Sequence, residues 1–186
     1  QTSYSITVSG GAAGRTWNGN WGSTDTPGHY GSSSSFNGIT ATGGGGGAGS
    51  YGGELRDGAC GGGASEYVGN GSGEANQGFG GGTFSSAGDD YTNCAGGGGG
   101  AGAAGQNASY PDAGNGGNGI QSNITGSNTY YAGGGGGSRG KNATGGSAGT
   151  GGLGGGSAGI LTTNTNGATR SGHATVNSGG GSGGSP

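Results

Sequence analysis

The segment Arg15-Thr-Trp17-Asn-Gly-Asn-Trp21 sets two indoles four residues apart, beside a guanidinium, in a stretch otherwise made of small polar residues. Those residue types serve binding rather than bond breaking. Trp and Tyr offer a large contact area at little entropic cost and dominate binding hot spots, and indole faces suit sugars. Tyr30, Tyr110, Tyr130 and Tyr131 sit in similar polar surroundings. Arg15, Trp17, Trp21, Tyr30, Tyr110, Tyr130 and Tyr131 therefore form the candidate receptor-binding set. A structural reading stands beside it: aromatic residues are scarce here, and the same side chains would serve to cap the ends of the fold and supply its apolar interior.

Reactive chemistry is thinly represented. The two histidines, His29 and His173, lie far apart, and no His/Asp/Ser or His/Cys spacing of a catalytic kind is present, so no enzyme and no cofactor is expected. Gly135-Gly-Gly-Ser-Arg-Gly140-Lys141-Asn142 approaches a phosphate-binding loop but lacks the Ser or Thr after the lysine, with neither a strand before it nor a helix after it. Asp89-Asp90 reads as a solvated acidic loop, since the glycine blocks lack the regularly placed aspartate of a calcium roll; no metal site is expected. Asn70, Asn107, Asn123 and Asn142 each begin an Asn-X-Ser/Thr sequon, which marks N-glycosylation only in a eukaryotic secreted chain. Cys60 and Cys94 each sit beside a glycine block. A bridge between them, worth roughly 3–4 kcal/mol by loop closure, is favoured over two free buried thiols, because a chain with little core gains most from a staple. Such a bridge belongs to an extracellular or virion-surface setting.

These residues are carried by an unusual chain. Of 186 residues 62 are glycine, 25% are hydrophobic and 7% are charged, with a net charge of -3. That composition cannot fill an ordinary apolar core. Disorder favours high net charge and few aromatics, which this chain lacks. Five scattered basic residues make no stripe for a phosphate backbone, so nucleic acid is not an expected partner. No apolar run approaches the roughly 20 residues of a membrane span, so no membrane insertion is expected. Three prolines and no sustained Gly-X-Y repeat exclude collagen. A three-residue beat of glycine does occur locally, at Gly146, Gly149, Gly152 and Gly155.

Glycine blocks at 43–47, 61–63, 80–82, 96–100, 133–137 and 154–156 alternate with polar, aromatic-bearing segments. Helices are disfavoured, at about 1 kcal/mol for each interior glycine. Alternation at Ser3–Ser9 predicts a strand with Tyr4, Ile6 and Val8 on one face, and residues 38–42, 160–163 and 173–176 are shorter candidates. Glycine runs suit the three-fold extended polyproline-II conformation, whose backbone groups can pair between rods packed side by side. The expected fold is irregular and mostly non-helical: a bundle of polyglycine-II (PPII-like) rods, a few short β-strands at the ends, and polar aromatic-bearing loops. One glycine-rich domain spans 1–186, with a strand-containing lead-in at 1–42, rods and loops at 43–159, and terminal strands with a Gly/Ser tail at 160–186. On this reading Gly98→Val disrupts packing far more than Ser109→Ala.

The opening Tyr4-Ser-Ile-Thr-Val-Ser-Gly-Gly-Ala-Ala-Gly, followed by Gly31-Ser-Ser-Ser-Ser-Phe-Asn-Gly-Ile-Thr-Ala-Thr-Gly-Gly-Gly-Gly-Gly, resembles the glycine-rich domain at the ends of phage tail-fibre and appendage proteins. In that family an Ile-Thr-Val strand precedes a glycine turn, and a Ser-Ser-Phe strand leads into polyglycine; Asn37 and Ile39 vary the second motif. The later alternation of glycine blocks and polar loops resembles tail-fibre tip adhesins, which implies polyglycine-II rods and receptor-contacting loops. The resemblance implies a non-enzymatic adhesion domain on a virion surface, or otherwise extracellular, whose partner is a host cell-surface glycan or an outer-membrane protein. The alternative is a subunit of an extracellular filament or sheath, with copies of itself as partner. A third reading, an ice-binding protein, wants a flat face of regularly spaced Thr, Ala or Val, for which these loops are long and irregular.

Overall fold

The computed structural model describes residues 2–12, 28–48, 57–66, 68–88, 92–140, 143–161, 172–176 and 178–181. Among them there is no helix. Five short strands occur: β1 (Ile6–Thr7), β2 (Ser34–Phe36), β3 (Ile39–Ala41), β4 (Ile120–Ser122) and β5 (Thr129–Tyr131). β1, β2 and β3 form an antiparallel sheet in that order, in which Ile6 faces Phe36 and Phe36 faces Ile39. Asn37 and Gly38 join β2 to β3 with φ of 47° and 81°. Positive φ at both central residues is what a two-residue type I′ hairpin requires, and Asn-Gly supplies it with least strain. β4 and β5 form a second antiparallel hairpin.

Most of the described chain lies outside these strands and is held by backbone hydrogen bonds between glycine-rich segments. Residues 95–101 display the rule. Ala95, Gly98 and Ala101 donate to Ser138, Gly135 and Ala132; Gly96 and Gly99 donate to Ala64 and Gly61; Gly97 and Gly100 donate to Gln106 and Ala103, all at 2.8–3.0 Å. Each neighbouring segment is thus reached by every third residue. The carbonyls of this segment accept in turn from Gly114 and Gly117 on one side and from Gly82 and Phe79 on another. A β-strand addresses two neighbours; this segment addresses five.

Close approach is what glycine permits here. A Cβ on Gly97 would overlap the carbonyl of Asn115, and one on Gly99 the carbonyl of Phe79. Gly98 differs: a Cβ there meets its nearest atom, Gly135 N, at 3.5 Å, an ordinary contact. Within the block Gly98 is therefore the roomier position, and Gly96, Gly97 and Gly99 are crowded. Apolar burial is small by comparison, with Cys94, Ala113 and Ala143 forming a cluster flanked by Ala108, and Ala64, Val68 and Ile160 buried separately.

Outer segments end in a recurrent side-chain clasp. Gly116 donates to the carbonyl of Thr150 while the amide of Thr150 donates to Asn115 Oδ1 at 2.7 Å. The same pair of bonds joins Asp112-Ala113 to Ser147, Asn118-Gly119 to Leu153, Asn107-Ala108 to Thr83 and Asp57-Gly58 to Ser72. In each, an Asx followed by glycine or alanine satisfies both backbone groups of one residue on the adjoining segment. A side-chain oxygen thereby takes the place of the carbonyl that a further segment would offer.

Three sequence expectations are corrected. Residues 173–176 have no strand character; of 160–163, Leu161 makes an isolated bridge to Arg139, and residues 162 and 163 lie outside the described residues. Among the described residues nothing pairs with 173–176 in ladder register; Thr175 instead donates singly to Gly155. Cys60 and Cys94 are both free thiols. The bonds from Gly96 to Ala64 and from Gly99 to Gly61 set Cys60 level with Gly100, six residues along an extended segment from Cys94. That separation exceeds the roughly 4.4–6.8 Å between Cα atoms that a disulfide spans.

Two outcomes follow from this packing. Gly97→Ala and Gly99→Ala should each lower unfolding stability by about 1–3 kcal/mol through overpacking against backbone, and Gly98→Ala by less than about 1 kcal/mol. Chemical denaturation of the three variants measures the contrast; equal losses at all three would refute the register. In denaturant without reductant, both thiols should react with a thiol reagent.

Candidate functional site

The hydrogen-bond register sorts the candidate aromatics between the two ends of the packed segments. Residue 101 lies level with 132, 59, 78 and 120, so Tyr130 and Tyr131 on β5 stand at that end. Gly31 donates to Gly44, and Ala59 to Gly43, which carries Tyr30 and the hairpin β2–β3 to the same end. Tyr110 stands at the other, beside Ser85, whose hydroxyl accepts the Tyr110 amide at 3.2 Å. The seven candidates are therefore not one patch. Arg15, Trp17 and Trp21 lie outside the described residues, as does Asn142 of the sequons.

At the foot of the β2–β3 hairpin is an open groove of about 570 Å³ lined by Tyr30, Ser33, Thr42, Asp57, Ser72 and Glu74, with backbone of Gly31, Gly43, Gly58 and Gly73. Local structure accounts for its walls. Gly43 donates to Ser33 Oγ, Ser72 to Asp57 Oδ1 at 2.6 Å, and Thr42 to Gln77 Oε1 at 2.7 Å. Tyr30 is 46% exposed. The groove thus offers one aromatic ring, four hydroxyls counting that of Tyr30, and two carboxylates, a lining that suits hydroxyl-bearing ligands: the ring meets an apolar face and the oxygens bond to hydroxyls. The sequence pointed to Tyr30 but not to Asp57 or Glu74, because only folding brings residues 30, 57 and 74 together.

On the adjacent sheet, Ile6, Phe36 and Ile39 share one face, with Tyr4 tilted against Phe36 at 5.8 Å between ring centroids. Ile6 and Ile39 are about two-thirds exposed or more, at 66% and 71%. A smaller apolar hollow of about 260 Å³ lies there, lined by those residues, Val8 and Ala41.

The opposite end holds the buried polar groups. Cys94 is fully buried, its thiol directed at the carbonyl of Pro111 at 3.3 Å. Burial pushes the Cys94 thiol up, partly offset by Arg139, and burial likewise raises Cys60. Both thiols are therefore protonated and poorly nucleophilic at neutral pH. Arg139 is buried, and its Nε and Nη1 have no hydrogen-bond partner among the described residues. Among the described residues no three His, Cys, Asp or Glu side chains gather as a metal site, and no helix is long and apolar enough to cross a membrane. Of the sequons, Asn70 Nδ2 donates to Gly81 and Asn107 Oδ1 holds the Thr83 amide, so both amides serve the fold; Asn123 is exposed.

Asp112 links structure to pH. The Ser147 hydroxyl and then the Ser147 amide hold its carboxyl below the usual 3.8. A depressed folded pKa adds stability that is present above the unfolded value and is lost as pH falls through the folded one. The Ser147 amide should therefore exchange faster with solvent as pH falls below the usual carboxylate range, after correction for intrinsic rates. Asp112→Asn, which keeps Oδ1, should remove that extra dependence; an unchanged profile would show that the clasp does not titrate.

No curated protein and no solved structure matches the chain. A family of glycine-rich domains matches it over residues 1–186, from the strand-bearing lead-in to the Gly/Ser tail. The chain belongs to that glycine-rich domain family.

Proposed function

We propose that the chain is a non-enzymatic surface adhesion module: a bundle of polyglycine-II rods that holds loops and a groove rigidly enough to grip a receptor. Every-third-residue donation by residues 95–101 supports the rods, because three residues per turn is the repeat of that conformation. The observation that carries the adhesive role is the groove of Tyr30, Asp57 and Glu74 beside an exposed apolar sheet face, at one end of the bundle. Its hydroxyls and carboxylates suit a surface glycan, with an outer-membrane protein as the other receptor class. The setting we propose is the tip of a viral tail fibre, extracellular once assembled, in line with the sequence resemblance over Tyr4 to Gly47. A filament or sheath subunit is the second reading, favoured by one exposed flank of residues 43–48, where the amides of Gly44 and Gly47 donate to no acceptor among the described residues.

Binding of the purified protein to a glycan array and to outer-membrane vesicles tests the adhesive role. Tyr30→Ala and Glu74→Gln should each weaken capture about tenfold or more, equal to roughly 1.4 kcal/mol, with unchanged melting. Capture unaffected by either substitution, or none at all, would remove the groove from the account.

A further inference from the structure

On segment 43–48 two exposed amides, three residues apart, have no acceptor among the described residues. In 43–48, Gly45 and Ala48 donate to Cys60 and Gly63, and Gly43 donates to Ser33 Oγ. Gly44 and Gly47, three residues apart, are exposed, and their amides donate to no acceptor among the described residues. A Cβ built on either meets nothing within 4 Å. Five residues at other outer positions, Ser72, Thr83, Ser147, Thr150 and Leu153, have their amides closed by Asx clasps, and other outer amides without an acceptor among the described residues, those of Asn115, Asn118, Ala148 and Gly151, lie on segments that carry side chains or are crowded by neighbouring backbone. The segment 43–48 is glycine and alanine only, and no Asx reaches it.

We infer that the Gly44–Gly47 flank is a docking slot for a glycine-rich segment of a second copy of this chain, an inference that rests on the rod-bundle reading. The two amides stand about 9 Å apart at a rise of roughly 3.1 Å per residue. Their acceptors must be carbonyls with the same three-residue spacing, on a backbone that bears no side chain toward the flank. Side-chain-bearing partners stand too far off to reach both amides at once, whereas this chain carries glycine runs of the required kind throughout. The carbonyls of Gly44 and Gly47 already accept from Gly31 and Gly28, so these two residues have only their amides to offer. The acceptor row on the second copy is therefore a different surface, the contact is heterologous, and copies add in open chains unless the rotation closes.

Sedimentation velocity over a concentration series, with a thermal melt on the same samples, tests this. The wild type should form larger species as concentration rises. Gly44→Ala with Gly47→Ala should melt as the wild type does, since both sites have room, while association weakens about tenfold or more. Gly10→Ala, equally open in space, should associate like the wild type. A wild type that melts cooperatively yet stays monomeric overturns the docking slot and leaves the rods standing. Association unchanged in the double variant overturns it as well. Absence of a cooperative melt would instead sink the rod reading itself.

Discussion

Every backbone amide and carbonyl taken out of water needs a partner, and in this chain that requirement, rather than apolar burial, organises the fold. Residues 95–101 meet it in several directions at once, donating to three segments and accepting from two others. Such an arrangement demands that neighbouring backbones nearly touch, and hence that side chains be absent at set positions. Gly97 and Gly99 face carbonyls so closely that no Cβ fits, whereas Gly98 has room. Glycine content, often a sign of disorder, here follows from the geometry of the hydrogen bonds. The entropic cost of ordering glycine is offset by a dense network rather than by a hydrophobic interior, of which Cys94, Ala113 and Ala143 are the modest centre.

A network of this kind has to stop somewhere, and its edges decide what the surface does. Along residues 112–118 and 147–153 the edge is closed by Asp112, Asn115 and Asn118, each holding the amide of a residue 35 positions later. At Gly44 and Gly47 it stays open. At the end carrying both β-hairpins it gives way to aromatic and carboxylate side chains around a groove. Glycine blocks thus fix the frame, while the segments between them carry both the Asx clasps that close its edges and the side chains around the groove.

Much of the frame was legible in the sequence. The beat of Gly146, Gly149 and Gly152 is the row whose missing side chains make room for the carbonyls of Pro111, Gly114 and Gly117. It ends at Gly155 because there φ turns to +92° and the chain leaves the row. The Ile6–Thr7 and Ile39–Ala41 strands also came from alternation. The β4–β5 hairpin did not, since Ile120-Gln-Ser and Thr129-Tyr-Tyr are too short and polar to show a period. The disulfide was misjudged because cysteine count and glycine flanks say nothing of axial level, and the register sets the two thiols apart. The groove was out of reach for a similar reason: Asp57 and Glu74 meet Tyr30 only through segment pairing. The Asx clasps were visible as Asx-Gly and Asx-Ala dipeptides, three of them at three-residue spacing, but their meaning needs the partner segment.

Residue-resolved amide hydrogen exchange tests the central claim most directly. If the backbone network is the core, the amides of 96 through 100 are all strongly protected, with no alternation along the run, and those of Gly44 and Gly47 exchange quickly in dilute protein. Protection of alternate residues alone would indicate ordinary strands, and uniform rapid exchange through 96–100 would contradict the account outright.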